Sequence, residues 1–235
     1  MRQRVTKHVP NAITCANLFS GCLGIVFAFQ GNLLYAAYAL FLAAVFDFFD
    51  GFASRLLQSF SGIGKDLDSL ADMVSFGVLP SVIIYELFLQ APQIEHVSVY
   101  LNFIAFLIPV FSALRLAKFN IDERQAEIFI GLPTPANAIL IASLPLILQQ
   151  HTAFSTYILN PYGLACFVLI MCSLLVAEIP LMSLKFKNTD VHNNIYRYLL
   201  LTVSAISIVI FKFVAVPVIL FMYITLSVIQ FRIAK

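Results

Sequence analysis

The sequence predicts an all-α integral membrane protein, a polytopic bundle of about eight spanning helices with both termini cytoplasmic. Three observations carry that expectation. The chain is 61% hydrophobic and only 11% charged, with a mean hydropathy of +0.93, whereas a soluble domain has about 45–50% apolar and about 25% charged residues. Its apolar residues fall into long runs, and a helix needs about 20 such residues to cross the hydrocarbon layer. Thirteen of the fourteen Lys and Arg residues fall in alternate connections between these runs, the asymmetry that sets a cytoplasmic side.

The spans are expected at 12–30, 33–57, 67–90, 97–119, 134–150, 157–180, 194–212 and 214–231. Unbroken apolar runs of this kind are helical, since lipid leaves backbone groups no other partner. The last two are nearly contiguous and require a tight hairpin near Phe213 to Pro217. If the eight alternate, Arg2, Arg4, Lys7, Arg55, Lys65, Arg115, Lys118 and Arg124 share one side with Lys185, Lys187, Arg197, Arg232 and Lys235. Lys212 alone falls opposite, beside the hairpin. The segment Met1 to Val9 mixes basic and apolar residues, and reads either as a headgroup-bound stretch or as a topology signal. The first apolar run lacks a small-residue cleavage site and is followed by further spans, so it reads as mature structure. Cys15, Cys22, Cys166 and Cys172 stand singly in apolar runs, neither a disulfide framework nor a zinc site. The four His lie in termini or loops with no partner spacing, and the 23 Phe read as packing bulk. No linker or repeat divides residues 1–235, which read as a single domain. The formal net charge of +2 says little about partners, and no nucleic acid is expected.

Charge in a membrane helix costs about 2.5–3.5 kcal/mol per residue on insertion scales, which makes such residues functional candidates. Five of the twelve acids fall between Asp47 and Asp72, at the cytoplasmic ends of two adjacent spans. Asp47 and Asp50 are spaced i,i+3, and Asp68 and Asp72 i,i+4, so each pair shares a helix face. A connection of roughly ten residues makes the helices antiparallel neighbours, and the two faces meet. Four converging carboxylates repel strongly in a low dielectric unless cations neutralise them. Oxygen ligands without nearby His or Cys select hard ions such as Mg²⁺, Mn²⁺ or Ca²⁺, and two ions suit phosphoryl transfer. Gly51 lies one turn beyond Asp47 and permits close approach of a ligand to the backbone. Arg55 offers a fork for phosphate. Asp66, beside Lys65, reads as an ordinary interfacial acid.

These residues resemble the CDP-alcohol phosphatidyltransferase family, whose pattern is D-x2-D-G-x2-A-R-x8-G-x3-D-x3-D. Asp47, Asp50, Gly51, Arg55, Gly64, Asp68 and Asp72 match it, and Ser54 stands where the family has Ala. Three flanking segments resemble the bacterial and archaeal serine-transferring branch: Pro10 to Thr14 with Asn17-Leu18-Phe19, then Leu67 to Gly77, then Arg115 to Asn120 followed by Gly131 to Ala136. The resemblance covers about residues 9–140. It implies a six-helix core, here with two additional spans. It also implies transfer of the phosphatidyl group of CDP-diacylglycerol to L-serine with release of CMP, dependence on Mg²⁺ or Mn²⁺, and assembly as a homodimer. By the same resemblance Asp47, Asp50, Asp68 and Asp72 ligate metal. Asp47, Asp50, Gly51, Ser54, Arg55, Gly64 and Asp68 line the cytidine diphosphate pocket, and Asp72 is the general base.

A serine hydroxyl is a poor nucleophile at neutral pH, so a positioned carboxylate that takes its proton fits this division of labour. Arg115, Lys118 and Asn120, at the cytoplasmic end of the fourth span, are candidates for the serine carboxylate or the lipid phosphate. Other acceptors, such as glycerol 3-phosphate or an inositol phosphate, would use the same metal chemistry but want more cations. A cation transporter is the competing class. Its acids would be spread across the membrane depth, whereas these are confined to one helix pair near one face.

Overall fold

The protein is described by a computed structural model over residues 8–57, 63–92, 98–122, 129–183, 190 and 194–233. Its longest elements are helices, as lipid requires. The first two are α1 (His8–Phe29) and α2 (Leu33–Leu56). They form an antiparallel hairpin turned at Gly31, whose φ of +76° suits glycine. The inner face of α1 is a stripe of small or polar residues, with Thr14, Asn17, Gly21, Gly24 and Ala28 buried at three- and four-residue spacing. Such a stripe lets helix backbones approach closely in a membrane. A Cβ on Gly21 would collide with Ser75 Oγ and lie 2.9 Å from Ser75 Cα.

The central element runs from Gly64 to Gln90 and is the most enclosed of the long apolar helices, with 67% of its apolar window buried. It comprises α3 (Gly64–Asp72), a π-helical segment (Met73–Val78) and α4 (Leu79–Gln90). In the π segment the Leu79 N–H bonds Val74 O, five residues back. Wide turns of this kind are frequent at functional sites. Because α3 begins at Gly64 and α2 ends at Leu56, the connection is shorter than the sequence suggested. Asp66 occupies the first turn of α3, where a carboxylate complements the helix dipole.

A short helix, α5 (Ser98–Leu101), and a 3₁₀ stretch lead into α6 (Leu107–Ile121). Residues Phe129–Ile130 (β1) and Pro180–Leu181 (β2) then pair antiparallel. Gly131, with φ +76°, sits where a Cβ would lie 2.8 Å from Leu175 O and 2.9 Å from Ala177 O. This close approach lets Leu132 N–H bond Leu174 O and Gly131 N–H bond Ile179 O, supplying donors to carbonyls at and beyond a helix end. The helix in question is α9 (Pro161–Val176), so the start of α7 (Thr134–Gln150) is fixed beside it.

The expected span 157–180 is shorter and bent. Residues Thr152–Ile158, including α8 (Ser155–Ile158), meet α9 at 71°. Pro161 disfavours a helical conformation at Asn160, and Asn160 Oδ1 instead caps α9 by accepting from Gly163 N–H at 2.9 Å. Among the described residues, five helices are long and apolar enough to cross a membrane, or six if the bent pair is one span.

The last apolar stretch, Ile195–Arg232, is 38 residues long, and it folds back on itself. Arg197 Nε donates to Ser183 O at 2.7 Å, while the adjacent Met182 N–H donates to Ser227 Oγ at 3.1 Å. In one straight helix Arg197 and Ser227 would be about 45 Å apart. The reversal is at Lys212, between α10 (Ile195–Phe211) and α11 (Ala215–Ile233). It comes slightly earlier than the expected Phe213 to Pro217. Lys212 has φ +50° and ψ −124°, a conformation that favours glycine.

Candidate metal centre and acceptor face

The acids converge because α2 and α3 both pack against α1, where Thr14 meets Asp50 and, one turn on, Asn17 meets Asp72. Carboxylate oxygens of Asp47, Asp50 and Asp68 lie within 4.8 Å of one another. The spacing of each pair is local and helical, so the faces predicted from sequence are the faces that meet. Asp72, expected from the resemblance both to ligate metal and to act as general base, stands outside this three-residue group. Its carboxyl accepts a long 3.4 Å bond from Asn17 Nδ2. The cluster fits a hard cation: its donors are all oxygen, and Asp68 Oδ1 is buried without a hydrogen-bond partner.

Two residues of α1 orient the carboxylates. Thr14 Oγ1 donates to Asp50 Oδ2 at 2.7 Å, and the more distant Pro10 O at 3.0 Å cannot share the single hydroxyl proton. Asn17 serves Asp72, and its backbone carbonyl accepts from Ser75 Oγ at 3.1 Å, tying α1 to the π segment. Thr14 and Asn17 were not singled out as site residues from sequence. The available signal was their polarity inside an apolar run at i,i+3 spacing, which in lipid marks an inward face.

Around the cluster, Gly51 has only Arg55 Nη2 near its Cβ position, at 3.8 Å, so the space over its backbone is open. Arg55 is exposed, and its Nε donates to Gly51 O at 2.8 Å. Ser54 and Gly64 are half-buried on the flanking turns. Among the described residues, the polar contacts of Arg55 and Lys65 go to backbone carbonyls and not to the four acids; Lys65 Nζ donates to Asn120 O at 2.7 Å.

The three residues proposed for acceptor binding separate. Arg115 is buried at 6% exposure, electrostatically engaged with Asp72 and Tyr223, and 5.7 Å over the Phe119 ring. Lys118, one turn on, is exposed, because three residues rotate a helix by 300° and here the intervening 60° crosses from core to surface. Asn120 donates its amide to Ser69 Oγ at 2.9 Å, bridging α6 to α3. Arg2, Arg4, Lys7, Arg124, Lys185, Lys187, Lys235, His96 and His192 lie outside the described residues.

The profile of the CDP-alcohol phosphatidyltransferase family matches residues 7–178. The chain is 34% identical over 158 residues to the CDP-diacylglycerol–serine O-phosphatidyltransferase of Bacillus subtilis (strain 168), covering 65% of this chain and 86% of that protein. A protein of the same description from Mycobacterium leprae (strain TN) is 31% identical over 210 residues, 86% of this chain and 67% of its own length. The archaetidylserine synthase of Methanothermobacter thermautotrophicus is 32% identical over 145 residues, 60% of either chain. With the family profile spanning the metal centre and the helices that build it, the chain belongs to the CDP-alcohol phosphatidyltransferase family.

Proposed function

We propose that this membrane enzyme transfers the phosphatidyl group of CDP-diacylglycerol to L-serine, releasing CMP and forming phosphatidylserine. The observation that carries the reading is the convergence of Asp47, Asp50 and Asp68, with Asp72 held nearby by Asn17. The Bacillus and Mycobacterium relatives, described as serine O-phosphatidyltransferases, support the acceptor.

Asp47, Asp50 and Asp68 hold the divalent metal together with Asp72, and the four carboxylates suffice for two ions, Mg²⁺ or Mn²⁺. When bound, the metal supplies Lewis-acid neutralisation of the pyrophosphate and of the departing CMP. The open backbone at Gly51 seats the cytidine diphosphate, flanked by Ser54 and Gly64. The N–H groups of Arg55 not used on Gly51 O face the phosphates. Asp72 takes the proton of the serine hydroxyl as the oxygen attacks the lipid-bearing phosphorus. The bond from that phosphorus to the CMP oxygen breaks, and CMP leaves with the electron pair. Arg115 lies on the acceptor side, and the exposed Lys118 faces the phosphate layer.

In the bilayer, we read the chain as one domain with eight spans. The hairpin at Lys212 and the 17-residue α7 add to the helices that pass on length alone. Both termini and the active site are on the cytoplasmic side of a prokaryotic cytoplasmic membrane, a reading supported by the basic residues Arg55, Lys65, Arg115, Lys118, Arg197 and Arg232. A homodimer follows from the family resemblance.

The test is CMP release by purified protein from CDP-diacylglycerol with Mn²⁺ or Mg²⁺, comparing L-serine, glycerol 3-phosphate and inositol phosphate. Serine-dependent release abolished by EDTA is the expected result. Release with another acceptor alone removes serine and keeps the metal chemistry, while no release with any acceptor rejects the reaction.

A further inference from the structure

Four buried polar side chains carry atoms without a hydrogen-bond partner. Ser112 and Asn137 are fully buried, Thr134 is 1% exposed and Arg115 6%. Ser112 Oγ, Arg115 Nε, Thr134 Oγ1 and both amide atoms of Asn137 make no hydrogen bond. Buried polar atoms are nearly always satisfied, so a group of orphans is costly and asks for a ligand.

The four belong to elements that share landmarks. The guanidinium of Arg115 feels the charge of Asp72 and the phenol of Tyr223 on α11. Ser112, one turn earlier on α6, lies against Gly77, whose Cβ would sit 3.3 Å from Ser112 Cβ. Gly77 is in the π segment that follows Asp72. Helix α7 packs on that π segment, on α6 and on α11, and Leu140, one turn beyond Asn137, shares a cluster with Leu132 and Tyr223. The first turn of α7 thus meets the neighbours that Arg115 meets.

That turn also carries donors. Pro133, at the cap position, gives no side-chain bond, and Pro135 has no N–H. Thr134 and Ala136 stand in the first turn, where backbone N–H groups have no intrahelical acceptor. A helix N-terminus favours negative charge. With the Arg115 guanidinium and the Thr134 hydroxyl it matches a carboxylate. The free oxygens of Asn137 and Ser112 are acceptors, and match an ammonium.

We propose that the N-terminal turn of α7, through Thr134 and Asn137, forms with Ser112 and Arg115 the site that holds the carboxylate and ammonium of a free amino-acid acceptor. The acceptor's hydroxyl then points to Asp72. This rests on the transferase reading and adds what selects an amino acid over a plain alcohol. Thr134, Asn137 and Ser112 specify the acceptor, while the nucleotide-lipid substrate stays with the α2 and α3 residues.

The experiment compares Thr134→Val, Thr134→Ser and Asn137→Ala with the parent protein. L-serine is set against serinol, which keeps the ammonium and hydroxyl but lacks the carboxylate. Steady-state constants are measured for both substrates, together with thermal stabilisation of the metal-loaded protein by L-serine. Thr134→Val and Asn137→Ala raise the KM for L-serine about 10- to 100-fold, the loss expected for one hydrogen bond to a charged group, with the KM for CDP-diacylglycerol within about twofold. Both lose the stabilisation by serine, Thr134→Ser retains it, and Thr134→Val narrows the preference for L-serine over serinol. Should Asn137→Ala fail to fold, the nearly isosteric Thr134 pair decides alone. An unchanged KM for serine in a parent that uses serine overturns this site and leaves the transferase reading intact. A parallel rise in the KM for CDP-diacylglycerol assigns the cluster to the lipid phosphate instead and also overturns it. A parent that releases no serine-dependent CMP rejects both.

Discussion

Replacing Thr14 by Val removes one proton donor and almost no volume, which isolates how far α1 governs the metal centre. The hydroxyl is buried and donates to Asp50 Oδ2 at 2.7 Å. Val fills the same space, so no cavity forms, but Asp50 loses a charge-assisted bond worth about 1.5–3 kcal/mol. At about 1.4 kcal/mol per decade, that is about 10- to 100-fold in whatever the oriented carboxylate supports. Residues that orient metal ligands cost about the same, roughly 10- to 100-fold in metal affinity or activity when removed. The assay is the Mn²⁺ dependence of CMP release, with Mn²⁺ binding followed directly by the paramagnetic signal of the free ion. Thr14→Val shifts both curves to higher Mn²⁺ by that factor, and Thr14→Ser leaves them near the parent's. Coincident curves for Thr14→Val and the parent would refute the claim that α1 orients the cluster.

Asp72→Asn keeps the Asn17 contact and the shape but cannot take the acceptor's proton. Turnover falls by about 10²- to 10⁴-fold, the usual contribution of a general base, while CDP-diacylglycerol still binds; undiminished turnover removes Asp72 from that role. Gly21→Ala drives a methyl into Ser75, with backbone 2.9 Å away, and overpacking of this kind costs about 1–3 kcal/mol. The melting temperature and the activity fall together, because Asn17 holds both Ser75 and Asp72 across this contact; a parental melting temperature contradicts the tight interface. Lys212→Gly relieves a backbone strain of about 1–3 kcal/mol at the α10–α11 hairpin, against about 0.5–1 kcal/mol lost to glycine's flexibility. The net gain is about 1 kcal/mol, read as a higher unfolding temperature in detergent, and a lower one rules out the strained turn.

Much of the site is legible in the chain because its geometry is local. The i,i+3 spacing of Asp47 and Asp50 and the i,i+4 spacing of Asp68 and Asp72 put each pair on one face of whatever helix forms. The length and composition of the apolar runs fix the solvent as lipid, and charges at one end of two adjacent runs announce a cation site. Where a span carries no such polar marker, the sequence could not decide which face turns inward, since in lipid both faces are apolar and periodicity loses its meaning. Tertiary packing sends Arg115 into the bundle and Lys118 out of it. It brings Thr14 to Asp50 and Asn17 to Asp72 across 36 and 55 residues, and leaves Thr134 and Asn137 buried without partners. It also places the reversal at Lys212 and the bend at Asn160, where one residue's backbone conformation outweighs the apolar run around it. Spacing along a helix is a property of the chain, whereas the partner of a buried polar group belongs to the whole bundle.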